Sequence, residues 1–124
     1  MLNTQAELPG PDTPIIDESR LMEEFGGDTE ILSELRDLFL EHAPPLYESL
    51  LQAMVAQDLT AIARDAHSLK GACATYGAQR IAMVCKAIEM AAEDSNWDDV
   101  NSLQDQFVTE FEQTVIAVGA MNLG

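Results

Sequence analysis

The stretch LTAIARDAHSLKGACATYG, residues 59–77, contains the pattern that decides the fold. At about 100° per residue its apolar side chains gather on one face of a helix, with Ile62 and Leu69 near the centre of that face. Asp58 directly before the stretch is a candidate N-cap, and Gly77 is a tight break at its end. The stretch therefore predicts an amphipathic helix with one face buried against other helices.

Three more amphipathic segments flank this helix in the chain. Residues 28–58, 78–94 and 97–121 repeat apolar side chains every three or four positions, and the connections between them are short. Pro44 and Pro45 are expected to interrupt or kink the first of these segments, because each proline removes an amide donor and crowds the preceding turn. The whole pattern predicts an all-α fold, an up-and-down four-helix bundle.

The N-terminal part of the chain differs from these segments. Residues 1–14 hold three of the five prolines and no apolar period, which predicts a flexible tail or linker. Residues 15–27 are typical of a short extra helix that stops at Gly26 and Gly27. We therefore expect the bundle domain, with its short N-terminal helix, to span residues 15–120.

The composition limits the possible classes of function. The formal net charge of the 124 residues is −16, and a surface of this charge repels nucleic-acid phosphates and anionic lipids. We therefore expect no nucleic acid or membrane as partner. The chain has no run of 18 apolar residues and no signal-peptide pattern, so we expect a cytoplasmic protein. We also expect a monomer. Cys73 and Cys85 fall on apolar helical positions and are interpreted as small buried hydrophobic residues.

The same helical wheel places His67 on the solvent side. The residue lies about 140° from the centre of the apolar face, and its neighbours along the helix are small: Ala63, Gly71 and Ala74. Gly71 costs a helix interior about 1 kcal/mol relative to alanine, and it points away from the predicted core. A bare backbone beside an exposed imidazole clears space for another molecule to approach. Close packing against a neighbouring helix is the alternative, and the wheel disfavours it.

Basic residues gather around this histidine in the sequence. Four of the six fall within residues 64–86, where Asp65 is the only acid: Arg64, Lys70, Arg80 and Lys86. Lys70 lies one turn from His67 and is suited to offset a dianionic group on its ring. Ordinary solubilisation of a helix would account for the same charges.

An exposed imidazole suits nucleophilic chemistry, since imidazole titrates near pH 6.5 and much of it is neutral in the cytosol. The chain has no Ser or Cys in a triad-like order, no histidine pair at metal-ligand spacing and no glycine-rich phosphate loop. We expect no metal site. His42 is interpreted as a helix-end residue that interacts with terminal carbonyls. A lone histidine beside a lysine favours a covalent carrier of a phosphoryl group over a small acid–base enzyme, which would need partner carboxylates.

The residues around His67 also carry a family resemblance. Residues 66–89, AHSLKGACATYGAQRIAMVCKAIE, resemble the signature of histidine-containing phosphotransfer (HPt) domains, H-x-L-K-G followed by small residues and Gly-Ala. The resemblance implies a phosphocarrier without enzymatic turnover of its own. In it, His67 would accept a phosphoryl group and pass it between aspartates of response-regulator receiver domains in a two-component phosphorelay.

The resemblance also implies the partners and the supporting residues. Receiver domains and a sensor or hybrid histidine kinase would be the partners, and the receiver would carry Mg²⁺ while this chain needs no cofactor. Lys70, Lys86 and Arg64 would support the phosphoryl group. Gly71, Ala63 and Ala74 would leave room for docking.

Two acidic residues depart from the family pattern. Some relatives place a glutamine on the next helix within reach of the histidine, and Glu89 aligns with it. A carboxylate there would repel a phosphoryl group unless it turns to solvent or holds the imidazole by a hydrogen bond, and Lys86 would partly offset it. Glu93 occupies a position that is basic in some relatives. The alternative function is a helical adaptor that docks on receivers or kinases without being phosphorylated.

Overall fold

The structure, a computed structural model, describes residues 7–121 of the chain. All regular secondary structure in that range is helical, in five helices: α1 Glu18–Phe25, α2 Thr29–Val55, α3 Leu59–Thr75, α4 Gln79–Glu93 and α5 Trp97–Ala120. The four long helices form an up-and-down bundle and α1 is a short addition before them, so the predicted fold is confirmed. Of the helices within residues 7–121, none combines the length and the hydrophobicity needed to cross a membrane.

Polar side chains begin four of the five helices. Asp17, Asp28, Asp58 and Asn96 each accept a hydrogen bond from a backbone N–H in the first turn of the helix that follows. Such a cap satisfies an amide donor that has no partner inside the helix and contributes about 1 kcal/mol. The predicted N-cap at Asp58 is confirmed. Gly26 ends α1 in the left-handed conformation, with φ 66°.

Helix α2 runs without interruption through Pro44 and Pro45, so the predicted break at these residues is wrong. A proline in a helix interior costs about 3 kcal/mol through the lost hydrogen bond and the crowded turn. Phe39 and Ala43 before the prolines and Leu50 after them are all buried in the core. Packing on both sides of the prolines therefore outweighs their cost to the helix.

The core lies between the four long helices and is filled mainly by aliphatic side chains. Its largest fully buried members include Leu50, Ile62, Leu69, Ile81, Ile88, Leu103 and Phe107. Helices α3 and α4 make the most extensive contact between any two helices in the described chain. Small buried side chains on these two helices, such as Ala66, Cys73 and Ala87, allow their axes to approach closely.

Helix α1 covers the end of the bundle where α3 turns into α4. Leu21 is buried in the core, and the backbone N–H of Asp17 donates to the carbonyl of Gly77 at 2.7 Å. Gly77 has φ 77°, and a Cβ there would come within 3.2 Å of the Asp17 carbonyl oxygen, so the turn requires glycine. Gln79 donates to the Asp17 carboxylate as well. The residues that begin α1 therefore hold the α3–α4 turn in place.

The segment before α1 also lies against the bundle. Arg80 donates to the backbone carbonyl oxygens of Gly10 and Thr13, at 2.6 and 3.1 Å. Leu8 packs against the core. Residues 7–14, predicted as part of a flexible tail or linker, therefore lie against the bundle in the structure. Residues 1–6 of that prediction lie outside the described range.

The arginine that holds this segment belongs to a mostly buried ion pair. The Arg80 guanidinium binds both carboxylate oxygens of Glu110, with distances from 2.8 to 3.1 Å. Only 7% of the Glu110 side chain is exposed. The hydrogen bond from Arg80 to Glu110 raises the pKa of the arginine above its usual value. The pair therefore links α4, α5 and the N-terminal segment.

Replacing the arginine tests the contribution of this ion pair. Arg80→Gln should lower the free energy of unfolding by about 3 kcal/mol, because it leaves the Glu110 carboxylate buried without its cation. Urea denaturation followed by circular dichroism measures the change. Arg20→Gln is the matched control, since the exposed Arg20–Glu24 pair should contribute less than about 0.5 kcal/mol. Equal effects of the two substitutions would contradict the role given to Arg80.

Candidate functional site

Helix α3 presents His67 to solvent, on the side that the helical wheel predicts. The side chain is 68% exposed, whereas Ala66 and Leu69 beside it are buried in the core. His67 lies near the middle of α3. Along the helix axis it is about 15 Å from Gly77, which lies at the end of the bundle that α1 covers. The imidazole therefore faces outward from the side of the bundle, where another protein can reach it.

Glu89 on α4 holds the imidazole of His67. The carboxylate oxygen Oε2 lies 2.8 Å from the ring nitrogen Nδ1. A carboxylate only accepts hydrogen bonds, so a neutral ring in this contact carries its proton on Nδ1 and its lone pair on Nε2. Within the part of the chain that the structure describes, Nε2 has no hydrogen-bond partner. The contact therefore leaves Nε2 as the free, nucleophilic nitrogen.

Lys70 binds the same carboxylate. Its Nζ donates to Oε1 of Glu89 at 2.6 Å, so lysine and histidine each take one oxygen. Burial raises the pKa of Glu89, but the hydrogen bonds from Lys70 and His67 outweigh it, and the pKa of Glu89 is lowered overall. The carboxylate is therefore charged at neutral pH. Of the two possibilities for Glu89, facing solvent or bonding to the imidazole, the structure has the second.

A groove opens beside His67 where Gly71 has no side chain. A Cβ on Gly71 would meet no atom within 4 Å, so packing inside the chain does not require glycine there. The groove, of about 280 Å³, lies between α2 and α3 and is mainly apolar; its lining is Leu35, Leu38, Phe39, His42, Gly71, Ala72, Thr75 and Tyr76. Leu38 is 49% exposed. The groove is therefore an open, mainly apolar surface within one helical turn of the imidazole.

His42, the other histidine of the chain, lies in this groove. Because α2 continues through the prolines, His42 is inside that helix and the predicted interaction with terminal carbonyls at a helix end is wrong. The residue has no carboxylate partner among the described residues. His42 is exposed, as His67 is, but no carboxylate among the described residues fixes its ring in the way that Glu89 fixes the ring of His67.

Ala63 and Ala74 lie along α3 on either side of His67, and both are half-buried. Ala74 also borders a second groove, toward α4, together with Ala82 and Met83. The structure thus places small side chains near the imidazole in both directions along the helix. Their role in docking stays a prediction.

The predicted supporting cations Arg64 and Lys86 lie at the edge of the site. Arg64 is 69% exposed and pairs with the neighbouring Asp65. Lys86 is exposed one turn before Glu89 on α4, and Glu93 is exposed one turn after it. Neither cation binds Glu89 or His67 in this structure.

Arg80 does not join these cations around His67. It is turned toward Glu110 and lies about 13 Å along α4 from Glu89. The basic cluster suggested by the sequence is therefore divided in space. The charge next to the imidazole is set by Lys70 and Glu89.

Two other kinds of site are absent from the described residues. Cys73 and Cys85 are free and buried, as predicted, and burial raises the pKa of Cys73 to about 12, so neither thiol is a nucleophile. Within residues 7–121, no group of three or more His, Cys, Asp or Glu side chains is placed to hold a metal ion.

One feature of the site escapes the sequence, whereas a second is visible in its apolar pattern. The bond from Lys70 to Glu89 depends on the register of α3 against α4, which no local pattern fixes. Leu35 and Leu38 line the groove. Together with Ile31 they continue an apolar stripe onto an exposed face of α2, and this spacing indicates an exposed apolar surface there.

The chain matches one family over most of its length. The family model of the Hpt domain matches residues 34–118. Among solved structures, histidine-containing phosphotransfer protein B (HptB) from Pseudomonas aeruginosa PAO1 is 27% identical with a TM-score of 0.72, over 87% of this chain and 94% of that chain. The histidine-containing phosphotransfer protein ZmHP2 from maize is 23% identical with a TM-score of 0.65, over 85% of each chain, and shares the fold. No curated protein sequence matches the chain.

The matched region includes all of α3 and α4, and with them the contact between His67 and Glu89. Hpt domains are phosphocarriers that interact with receiver domains and histidine kinases. The chain belongs to the Hpt domain family, and its function is histidine phosphotransfer in two-component phosphorelays.

Proposed function

We propose that His67 is the residue that accepts the phosphoryl group, on Nε2, and passes it to a receiver aspartate. The observation that carries this proposal is the contact between Nδ1 of His67 and Glu89, on a ring that is 68% exposed. That contact orients an accessible nucleophile and fixes which nitrogen holds the lone pair. His42, exposed in the neighbouring groove, has no such contact among the described residues.

The transfer is a displacement at phosphorus. The Nε2 lone pair of His67 forms the N–P bond while the bond from phosphorus to the donor carboxylate breaks, and the electron pair leaves with the carboxylate. The proton on Nδ1 stays in place, held by Glu89. The chain contributes an oriented nucleophile and a docking surface. Together these accelerate transfer by holding the reacting groups close together in the right orientation. It has no enzymatic turnover of its own.

The supporting charges act at the edge of the ring. Lys70 is the cation nearest the imidazole through its bond to Glu89, and its side chain is 28% exposed. Arg64 and Lys86, exposed near the site, offset charge on the phosphoryl oxygens. Mg²⁺ on the receiver would neutralise the same oxygens during transfer, and this chain needs no metal of its own.

The partner docks over α3 and the groove beside Gly71. A transient interface of this kind has an apolar centre and a charged rim, and Leu38 beside the bare backbone of Gly71 fits such a centre. Ala63 and Ala74 keep the approach to the ring open. Receiver domains and a sensor or hybrid histidine kinase are the partners, and we place the protein in the cytoplasm as a monomer.

Replacing the histidine tests the assignment. His67→Gln should abolish acceptance of the phosphoryl group, measured as acid-labile, base-stable phosphate after incubation with a phosphorylated receiver domain. Stability should change by less than about 0.5 kcal/mol, because the side chain is exposed. His42→Gln is the matched control and should still form phosphohistidine on His67, although its side chain lines the docking groove and its rate of transfer is not the readout. Phosphate on the His67→Gln variant would overturn the assignment, and binding without phosphate on the native chain would favour the adaptor function.

Filling the space beside the ring tests the docking surface. Gly71→Gln should leave the helix at least as stable, since glutamine is the better helix former, yet slow transfer from a receiver by roughly a hundredfold. Gly119→Gln is the matched control: Gly119 is also exposed in a helix with no atom near its Cβ position, but it lies at the end of α5. Transfer at the native rate in the Gly71 variant would contradict the proposal that Gly71 leaves space for the partner beside the imidazole.

A further inference from the structure

We propose that the negative charge of Glu89 sets the lifetime of the phosphoryl group on His67, by stabilising the protonated form of the phosphorylated ring. The inference rests on the proposed function of His67 and concerns the step after acceptance. It makes Glu89 a positioning residue whose charge, beyond its hydrogen bond, tunes how readily the chain gives up its phosphoryl group.

The geometry supplies the charge at the right atom. Oε2 of Glu89 lies 2.8 Å from Nδ1, the nitrogen opposite the one that carries phosphorus. The carboxylate is 14% exposed and held in position by Lys70 at 2.6 Å. A carboxylate fixed in this way interacts strongly with a positive charge on Nδ1 and loses that interaction when the ring gives up its proton.

The protonation state of Nδ1 decides how the N–P bond breaks. With a proton on Nδ1, the N–P electron pair returns to Nε2 and the ring leaves as neutral imidazole, while phosphorus forms a bond to water or to a receiver carboxylate. Without that proton, the ring would have to leave as the far more basic imidazolate. Glu89 therefore favours release, and the ring that remains is the neutral tautomer with its proton on Nδ1, which the contact with the carboxylate favours.

Other charged groups near the ring are few. On α3, Lys70 shares the carboxylate, and the exposed Arg64 is paired with Asp65. On α4, Lys86 and Glu93 are exposed one turn on either side of Glu89. Across the groove, α2 contributes His42. Within residues 7–121, Glu89 is the one charged residue that bonds to the imidazole, so its charge dominates the response of the ring.

The direction of the effect follows from the position of the charge. The Glu89 carboxylate lies against Nδ1, so it favours the form of the phosphorylated ring that carries a proton there. Removal of the Glu89 charge should therefore leave less of this labile, protonated form at neutral pH.

The test compares the decay of phosphohistidine in Glu89→Gln and in the native chain. The amide oxygen of glutamine can still accept the hydrogen bond from Nδ1, so the substitution removes the charge and keeps that contact, while the amide NH2 no longer accepts from Lys70. Each protein is loaded with phosphate from phosphoramidate, a small donor that needs no partner. The loss of phosphate is then followed between pH 5 and 9. Glu93→Gln, which changes the same charge one turn further along α4, is the matched control.

We expect the pH profile of Glu89→Gln to move to lower pH and its half-life at neutral pH to lengthen, with Glu93→Gln unchanged. In urea, where the contact is lost, all three proteins should decay alike. Identical profiles of Glu89→Gln and the native chain in the folded state would overturn the inference. Failure of the native chain to form phosphohistidine at all would instead overturn the proposed function of His67.

Discussion

The close antiparallel packing of α3 against α4 is the constraint on which the rest of the structure depends. Small buried side chains, among them Ala66, Cys73 and Ala87, allow the two helices to approach. The turn between them is fixed by Gly77, whose left-handed backbone is bonded to the start of α1. These features set the register that brings Glu89 of one helix to the imidazole of the other.

That register explains how a strongly acidic protein maintains a site for a dianionic group. The chain carries a net charge of −16, and an unpaired acid beside the nucleophile would repel phosphate. Glu89 is instead bonded on both oxygens, to Lys70 and to His67, so its charge is directed at Nδ1 and away from Nε2, the nitrogen that we propose reacts. The exposed face next to the imidazole is left to Gly71 and to an apolar groove. In the proposed function, electrostatics and docking are thus separated onto two sides of the same histidine.

The sequence predicts the parts of this arrangement that depend on local pattern. Helical spacing identifies the amphipathic segments and places His67 outside the core, and side-chain chemistry identifies Asp58 as a cap. The local pattern does not predict the continuity of α2, because packing around Phe39 and Leu50 outweighs the local effect of two prolines. The pattern also groups Arg80 with the basic residues around His67, because its partner, Glu110, lies 30 residues away on α5. Contacts between helices depend on the register of one helix against the next. That register cannot be read from the local pattern of a single sequence.

The most direct test of the account is to determine which nitrogen of which histidine carries phosphorus. The protein, labelled with ¹⁵N in its histidine rings and loaded with phosphoramidate, can be examined by NMR for coupling between phosphorus and the ring nitrogens. Because Glu89 occupies Nδ1 of His67, the account predicts a single N–P bond, at Nε2 of that residue. Phosphorus on Nδ1 of His67, or on His42, would contradict it.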